Sequence, residues 1–151
     1  MSVGSLQLFD QDTGFIYPSP ALLNQWIVQT FKDENRSFEY VNIVFCSDEF
    51  LLNLNREYLN HDYYTDIITF QYKGEPIEGE LYISLDRVKD NAAERSIKWS
   101  GELHRVIIHG ILHLIGYKDH SSSEKEEMRE KENHYLSQCD PDLAQLILDG
   151  F

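Results

Sequence analysis

Positive charge is scarce in this chain. Thirteen lysines and arginines stand against 26 aspartates and glutamates, and the net charge is −13. So acidic a chain has no general polyanion-binding surface, which speaks against a nucleic-acid partner unless a local site supplies what the bulk lacks. Long apolar runs are also missing. No eighteen consecutive apolar residues occur, so no membrane-spanning helix and no membrane partner are expected. The opening stretch MSVGSLQLFDQDTG carries no basic region followed by an apolar core, so it does not read as an export signal. Cysteine is down to Cys46 and Cys139, which lie far apart and form no C-x-x-C. That suits a reduced, cytoplasmic setting with two free thiols. Repeats, linkers and low-complexity segments are absent as well, so residues 1–151 read as a single domain.

What is present suffices for a core: 42% of residues are apolar and 13% aromatic. Ser19-Pro20 looks like an N-cap and first helical residue, opening a helix to about Phe31. YVNIVFC, Tyr40 to Cys46, is β-branched and aromatic and predicts a strand. Ser47 caps a helix to about Tyr58. Further strands are expected at Ile67–Tyr72 and Glu80–Ser84, with a short one near Leu6–Phe9. The break between them falls at Lys73-Gly74-Glu75-Pro76. Helices follow at about Leu85–Arg95 and, capped by Ser100, at Gly101–Ile115. After a Ser121-Ser122-Ser123 loop a charged helix runs to near Cys139, where Asp140-Pro141 stops it. The mixture lacks strict alternation and ends all-helical. It predicts an α+β fold with a small mixed four-stranded sheet packed with helices.

The informative helix contains VIIHGILHLI. Every residue from Val106 to Ile115 is strongly apolar except His109, Gly110 and His113. A helix apolar all round is a buried one, and two imidazoles inside it call for a reason. Residues four apart differ by about 40° in azimuth and about 6 Å in rise, so both rings share a face and can reach one ion at about 2.0–2.1 Å. Gly110 costs about 1 kcal/mol against alanine. That cost makes sense if a backbone or ligand approaches closely, or if helix and sheet pack tightly. Gly116 sits where a left-handed C-cap is expected and turns the chain, so His120 can come back toward the pair. Three neutral imidazoles leave a coordination position open, as catalytic zinc sites do, and a metal-bound water would serve as nucleophile. Asp119 either orients an imidazole or serves the loop. The peptidase signature H-E-x-x-H needs a glutamate as base, but this chain has Gly110 there, which disfavours a metallopeptidase-like hydrolase.

HGILHLIGYKDH resembles the H-G-x-L-H-L-x-G-Y-D-H signature of the YbeY family, the rRNA maturation factors. TDIITF, Thr65 to Phe70, resembles that family's T-D-V-L-S-F block, and GELYIS, Gly79 to Ser84, its G-D-I-x-I-S strand. The likeness covers about residues 40 to 136. It implies a zinc-dependent, single-strand-specific endoribonuclease of 16S rRNA 3′-end maturation and ribosome quality control. It also implies zinc on His109, His113 and His120, RNA as substrate, and the ribosome or ribosomal proteins as partners. Two departures matter. The family's third histidine lies six residues after the second. Here Lys118 makes the gap seven, and Asp119 takes the sixth place. His120 is preferred as ligand because a loop absorbs an insertion cheaply, with Asp119 as the alternative. The family's basic residue before the T-D block falls on Leu59, leaving Arg56, one helical turn earlier, to supply the charge.

The sequence leaves the nucleophile open between a metal-activated water and the substrate's own 2′-OH. Arg95, Lys98 and Arg105, in the basic stretch Arg87–Arg105, are the RNA-binding candidates, against ordinary solvated charge. Asp66 supports the metal shell or bonds backbone at the strand start. Tyr63, Tyr64 and Tyr117 stack on bases or pack locally. His104, about 140° from His109, is expected on the surface, as are His61 and His134. A binding factor for ribosome assembly with a structural metal is the reading from another class.

Overall fold

The computed structural model describes residues 4–140 together with Leu143. Met1–Val3 of the opening stretch and Pro141 lie outside them. The elements run β1 (Ser5–Asp10), α1 (Pro20–Asp33), β2 (Phe38–Cys46), α2 (Asp48–Leu59), β3 (Ile67–Gly74), β4 (Ile77–Ser84), α3 (Leu85–Glu94), α4 (Trp99–Ile115) and α5 (Ser122–Ser137). The four strands form one sheet in the order β1-β2-β4-β3. β1 and β2 are parallel, as are β2 and β4, while β3 runs antiparallel on the edge beside β4. The fold is the expected α+β with a mixed sheet.

Strand alternation divides the interior. Val41, Ile43 and Phe45 of β2, with Ile77, Leu81 and Ile83 of β4, point into the main core beneath α1, α4 and the end of α5. Cys46 and Ile68 point the other way, where Leu51 of α2 covers them. Both cysteines are free and buried. Burial pushes the Cys46 thiol up to about 12 and that of Cys139 to about 11, so neither is a reactive thiolate. No helix among the described residues is long and apolar enough to cross a membrane.

Some boundaries differ from expectation. α4 starts at Trp99, two residues early, with Lys98 as N-cap, so Ser100 is a buried first-turn residue and not the cap. Ser121 alone caps α5, through a reciprocal bond with Glu124, and Ser122 and Ser123 belong to the helix. β3 continues through Gly74, and only Glu75 and Pro76 make the turn.

α4 is the axis of the molecule. Val106, Ile107, Ile108, Ile111, Leu112, Leu114 and Ile115 are all buried; each such side chain contributes about 1.5–3 kcal/mol by leaving water. Gly110 faces the sheet. A Cβ there would lie 2.7 Å from Ile67 Cδ1 and 2.9 Å from both Leu81 methyls. Tight helix–sheet packing therefore accounts for the glycine. Gly116 ends the helix at φ +125°, and Tyr117 N donates to Leu112 O at 3.0 Å.

Candidate metal centre

His104 corrects the sequence reading. It is 1% exposed. Its Nδ1 lies 2.6 Å from the Ser100 carbonyl and its Nε2 2.6 Å from the Tyr17 hydroxyl. A carbonyl only accepts, so Nδ1 carries the proton and Nε2 accepts from Tyr17. Tyr17 and Trp26 cover the helix face that periodicity alone leaves to solvent. His61 and His134 are exposed, as expected.

His109 and His113 lie on the half-buried face of α4, in the cleft lined by Asp66 and the start of the edge strand β3. His109 Nδ1 stands 2.6 Å from Glu132 Oε2, and His113 Nδ1 stands 3.0 Å from the Tyr117 carbonyl. Both partners only accept, so each ring carries its proton on Nδ1 and turns Nε2 outward. The two Nε2 atoms face each other at 2.9 Å. Asp119 Oδ2 lies 3.4 Å from each. In neutral rings these are two lone pairs and a carboxylate converging on one point, which a cation resolves. Two zinc–nitrogen bonds of about 2.0–2.1 Å at a tetrahedral angle put their nitrogens about 3.3 Å apart, close to the spacing here. His109, His113 and Asp119 form a group that could hold a metal ion, all ligand atoms lying within 4.8 Å of one another. His120 is exposed, lines the same cleft and is not one of the three. The extra Lys118 advances the chain so that Asp119 reaches the pair.

Supporting side chains surround the group. Glu132 is buried and also accepts from Arg105 at 2.8 Å. Burial works to raise its pKa, but the bonds from His109 and Arg105 bring it below the usual carboxylate value. Burial likewise pushes His109 down, yet the bond and charge of Glu132 and the charge of Asp119 hold it above the usual imidazole value. Tyr117 is held in turn: its hydroxyl donates to Glu34 at 2.6 Å, and Glu34 also accepts from Lys131 and Tyr135.

The group sits at the waist of a two-lobed cleft. The smaller lobe, about 300 Å³, is lined by Arg95, Arg105, Lys125 and Arg129 together with Glu102, Met128 and Glu132. The larger, about 710 Å³, is lined by Asn55, Leu59, His61, Tyr63, Thr65, Thr69 and Gln71, with His113 and His120. His109, Asp119, Asp66 and Ile67 border both. Burial raises the Asp66 pKa, and Asn91 Nδ2 donates to its carboxylate at 3.3 Å.

Other candidates fall elsewhere. Arg56 is ion-paired with Asp62 on the surface and lines neither lobe. Lys98 lines neither lobe either. Arg95 and Arg105 do line the smaller lobe, each paired with a buried glutamate, Glu102 and Glu132. Tyr64 sits under the Arg87 guanidinium, 5.2 Å from its ring centre, and donates to Glu49. Sequence reasoning missed Glu132, Lys125 and Arg129. Their signal was present: Lys125, Met128, Arg129 and Glu132 fall at i, i+3, i+4 and i+7, a single helix face.

A model of the family described as endoribonuclease YbeY matches residues 18–140. The endoribonuclease YbeY of Cytophaga hutchinsonii is 48% identical over 140 residues, 91% of this chain and 97% of that protein. The one from Amoebophilus asiaticus is 44% identical over 138 residues, 90% and 94% of the two chains. The solution structure of a Thermotoga maritima protein superposes with a TM-score of 0.68 at 27% identity, covering 97% of this chain and 99% of that one. On sequence and fold, this chain belongs to the endoribonuclease YbeY family.

Proposed function

We propose that this chain is a zinc-dependent endoribonuclease of single-stranded RNA, acting on the 3′ end of the 16S rRNA precursor in ribosome maturation and quality control. The observation that carries the reading is the convergence of His109 Nε2, His113 Nε2 and Asp119 Oδ2 at the waist of the cleft. Two imidazoles and a carboxylate are a donor set that suits catalytic zinc and leaves a position open. When bound there, the ion polarises a phosphate oxygen and supplies an activated water.

The chain's own groups do the rest. Glu132 and the Tyr117 carbonyl hold the two imidazoles in the tautomer that presents Nε2. Arg95, Arg105, Lys125 and Arg129 gather positive charge in one lobe, a local exception to a net charge of −13. Two of these cations are already matched by buried glutamates, so RNA binding by the isolated chain is weak. Ribosomal proteins or the ribosome itself, in the cytoplasm, supply the remaining affinity.

Metal analysis of the purified protein tests the reading, paired with cleavage of single-stranded RNA by wild type and His113→Ala. About one zinc per chain is expected, with metal and cleavage both lost in the variant. Cleavage that persists without metal overturns the mechanism. A zinc-loaded wild type that never cleaves RNA points instead to an assembly factor with a structural metal.

A further inference from the structure

The two lobes of the cleft differ in chemistry. The smaller is cationic. The larger has no lysine or arginine on its walls, and its carboxylates are the shared Asp66 and Asp119. A phosphate gains nothing there. The walls instead offer neutral hydrogen-bonding groups, among them Thr69 and Gln71 of β3, and an aromatic ledge. On that ledge the rings of His61 and Tyr63 stack at 5.1 Å and 20°. The Tyr63 hydroxyl lies 2.9 Å from His61 Nδ1, and Tyr63 is 55% exposed.

The ledge is fixed from below. Asn60 turns the chain in the left-handed region at φ 54°. Buried Asn55 donates its side-chain amide to the Tyr63 carbonyl at 2.9 Å and accepts at its own carbonyl from His61 N. A fixed aromatic face in a polar chamber without cationic side chains, beside the proposed phosphodiester-cleaving centre, is what an unpaired base stacks on.

Resting on the proposed ribonuclease reading, we propose that the larger lobe is a nucleobase subsite, with Tyr63 and His61 as its stacking ledge and the cationic lobe taking the neighbouring phosphate. The strand then crosses the His109–His113–Asp119 group between the lobes. A base inside a duplex has both faces covered by its neighbours, so only an unpaired nucleotide can enter. Preference for single strands follows from the shape of this lobe.

The experiment uses the zinc-loaded full chain and single-stranded oligoribonucleotides carrying 2-aminopurine or a single abasic position, scanned along the strand. Wild type should quench or shift 2-aminopurine fluorescence at one register. An abasic residue at that register should weaken binding about ten- to a hundredfold. Tyr63→Ala should abolish the fluorescence change and raise KM by a similar factor, with kcat changed less and zinc content unaltered. Tyr63→Phe should restore both. The abasic arm needs no variant, so it stands even if Tyr63→Ala fails to fold. Equal affinity at every abasic position, or wild-type fluorescence and KM in a folded Tyr63→Ala, overturns the subsite while leaving the metal-dependent cleavage intact. A wild type without zinc or cleavage that still shows the register would sink the ribonuclease reading alone.

Discussion

Glu132 of α5 accepts the Nδ1 proton of His109 of α4 at 2.6 Å, so a buried carboxylate on one helix aims an imidazole on another. Its second oxygen is taken by Arg105, which keeps the carboxylate ionised and in place. Carboxylate partners of this kind fix ring orientation and raise ligand basicity.

Replacing Glu132 with glutamine keeps the shape and removes the charge. Zinc affinity should fall about ten- to a hundredfold, the usual effect of losing such a partner. Competition with a chromophoric chelator measures it. Unchanged affinity means that the His109 ring needs no aiming.

The third ligand can be assigned by comparing two variants. Asp119→Ala should lose zinc during gel filtration about as completely as His113→Ala, whereas His120→Ala should retain most of it. The reverse order would return His120 to the ligand set.

Gly110 permits a graded packing test. In Gly110→Ala the added methyl meets side-chain methyls of Ile67 and of fully buried Leu81, not backbone, and the helix gains about 1 kcal/mol in propensity. The two effects oppose, so stability should stay within about 1 kcal/mol of wild type. Gly110→Val adds bulk without that gain and should cost about 1–3 kcal/mol in urea unfolding. Equal stability of all three proteins contradicts the close approach of α4 to the sheet.

Burial holds the His104 imidazole below its ordinary pKa of 6.5. The unfolded chain therefore binds a proton on this ring below about pH 6.5 while the folded ring remains neutral. The stability this ring contributes is complete above that pH and is lost as pH falls toward the folded pKa, at no more than about 1.4 kcal/mol per pH unit. Unfolding free energies of wild type and His104→Gln, measured from pH 7.5 downward, should show the steeper decline in wild type. Parallel curves would place the ring in solvent.

Much of this was legible from residue order. The four-residue spacing of His109 and His113 in an apolar run put both rings on one face of a buried helix, and Gly116 marked the turn that returns the chain. His104 was misplaced because angular spacing assumes one solvent face, whereas α1 and the Tyr17 segment cover what would have been that face of α4. Glu132 was passed over because α5 is charged on most sides. Its place on one face with Lys125, Met128 and Arg129 was there to read, but only the packing of that face on α4 shows which of the many charges is buried. The preference for His120 over Asp119 depended on loop path, which sequence spacing leaves open.

That loop path has a mechanical side. Tyr117 is pinned through its hydroxyl to Glu34, and Ser121 is clamped by the start of α5. Only Lys118, Asp119 and His120 hang between these anchors. The segment behaves as a three-link tether with both ends staked beside the two imidazoles. A carboxylate and a third imidazole thus stay on a short leash at the cleft, and exchanging one for the other at the ion requires turning this tether without disturbing either helix.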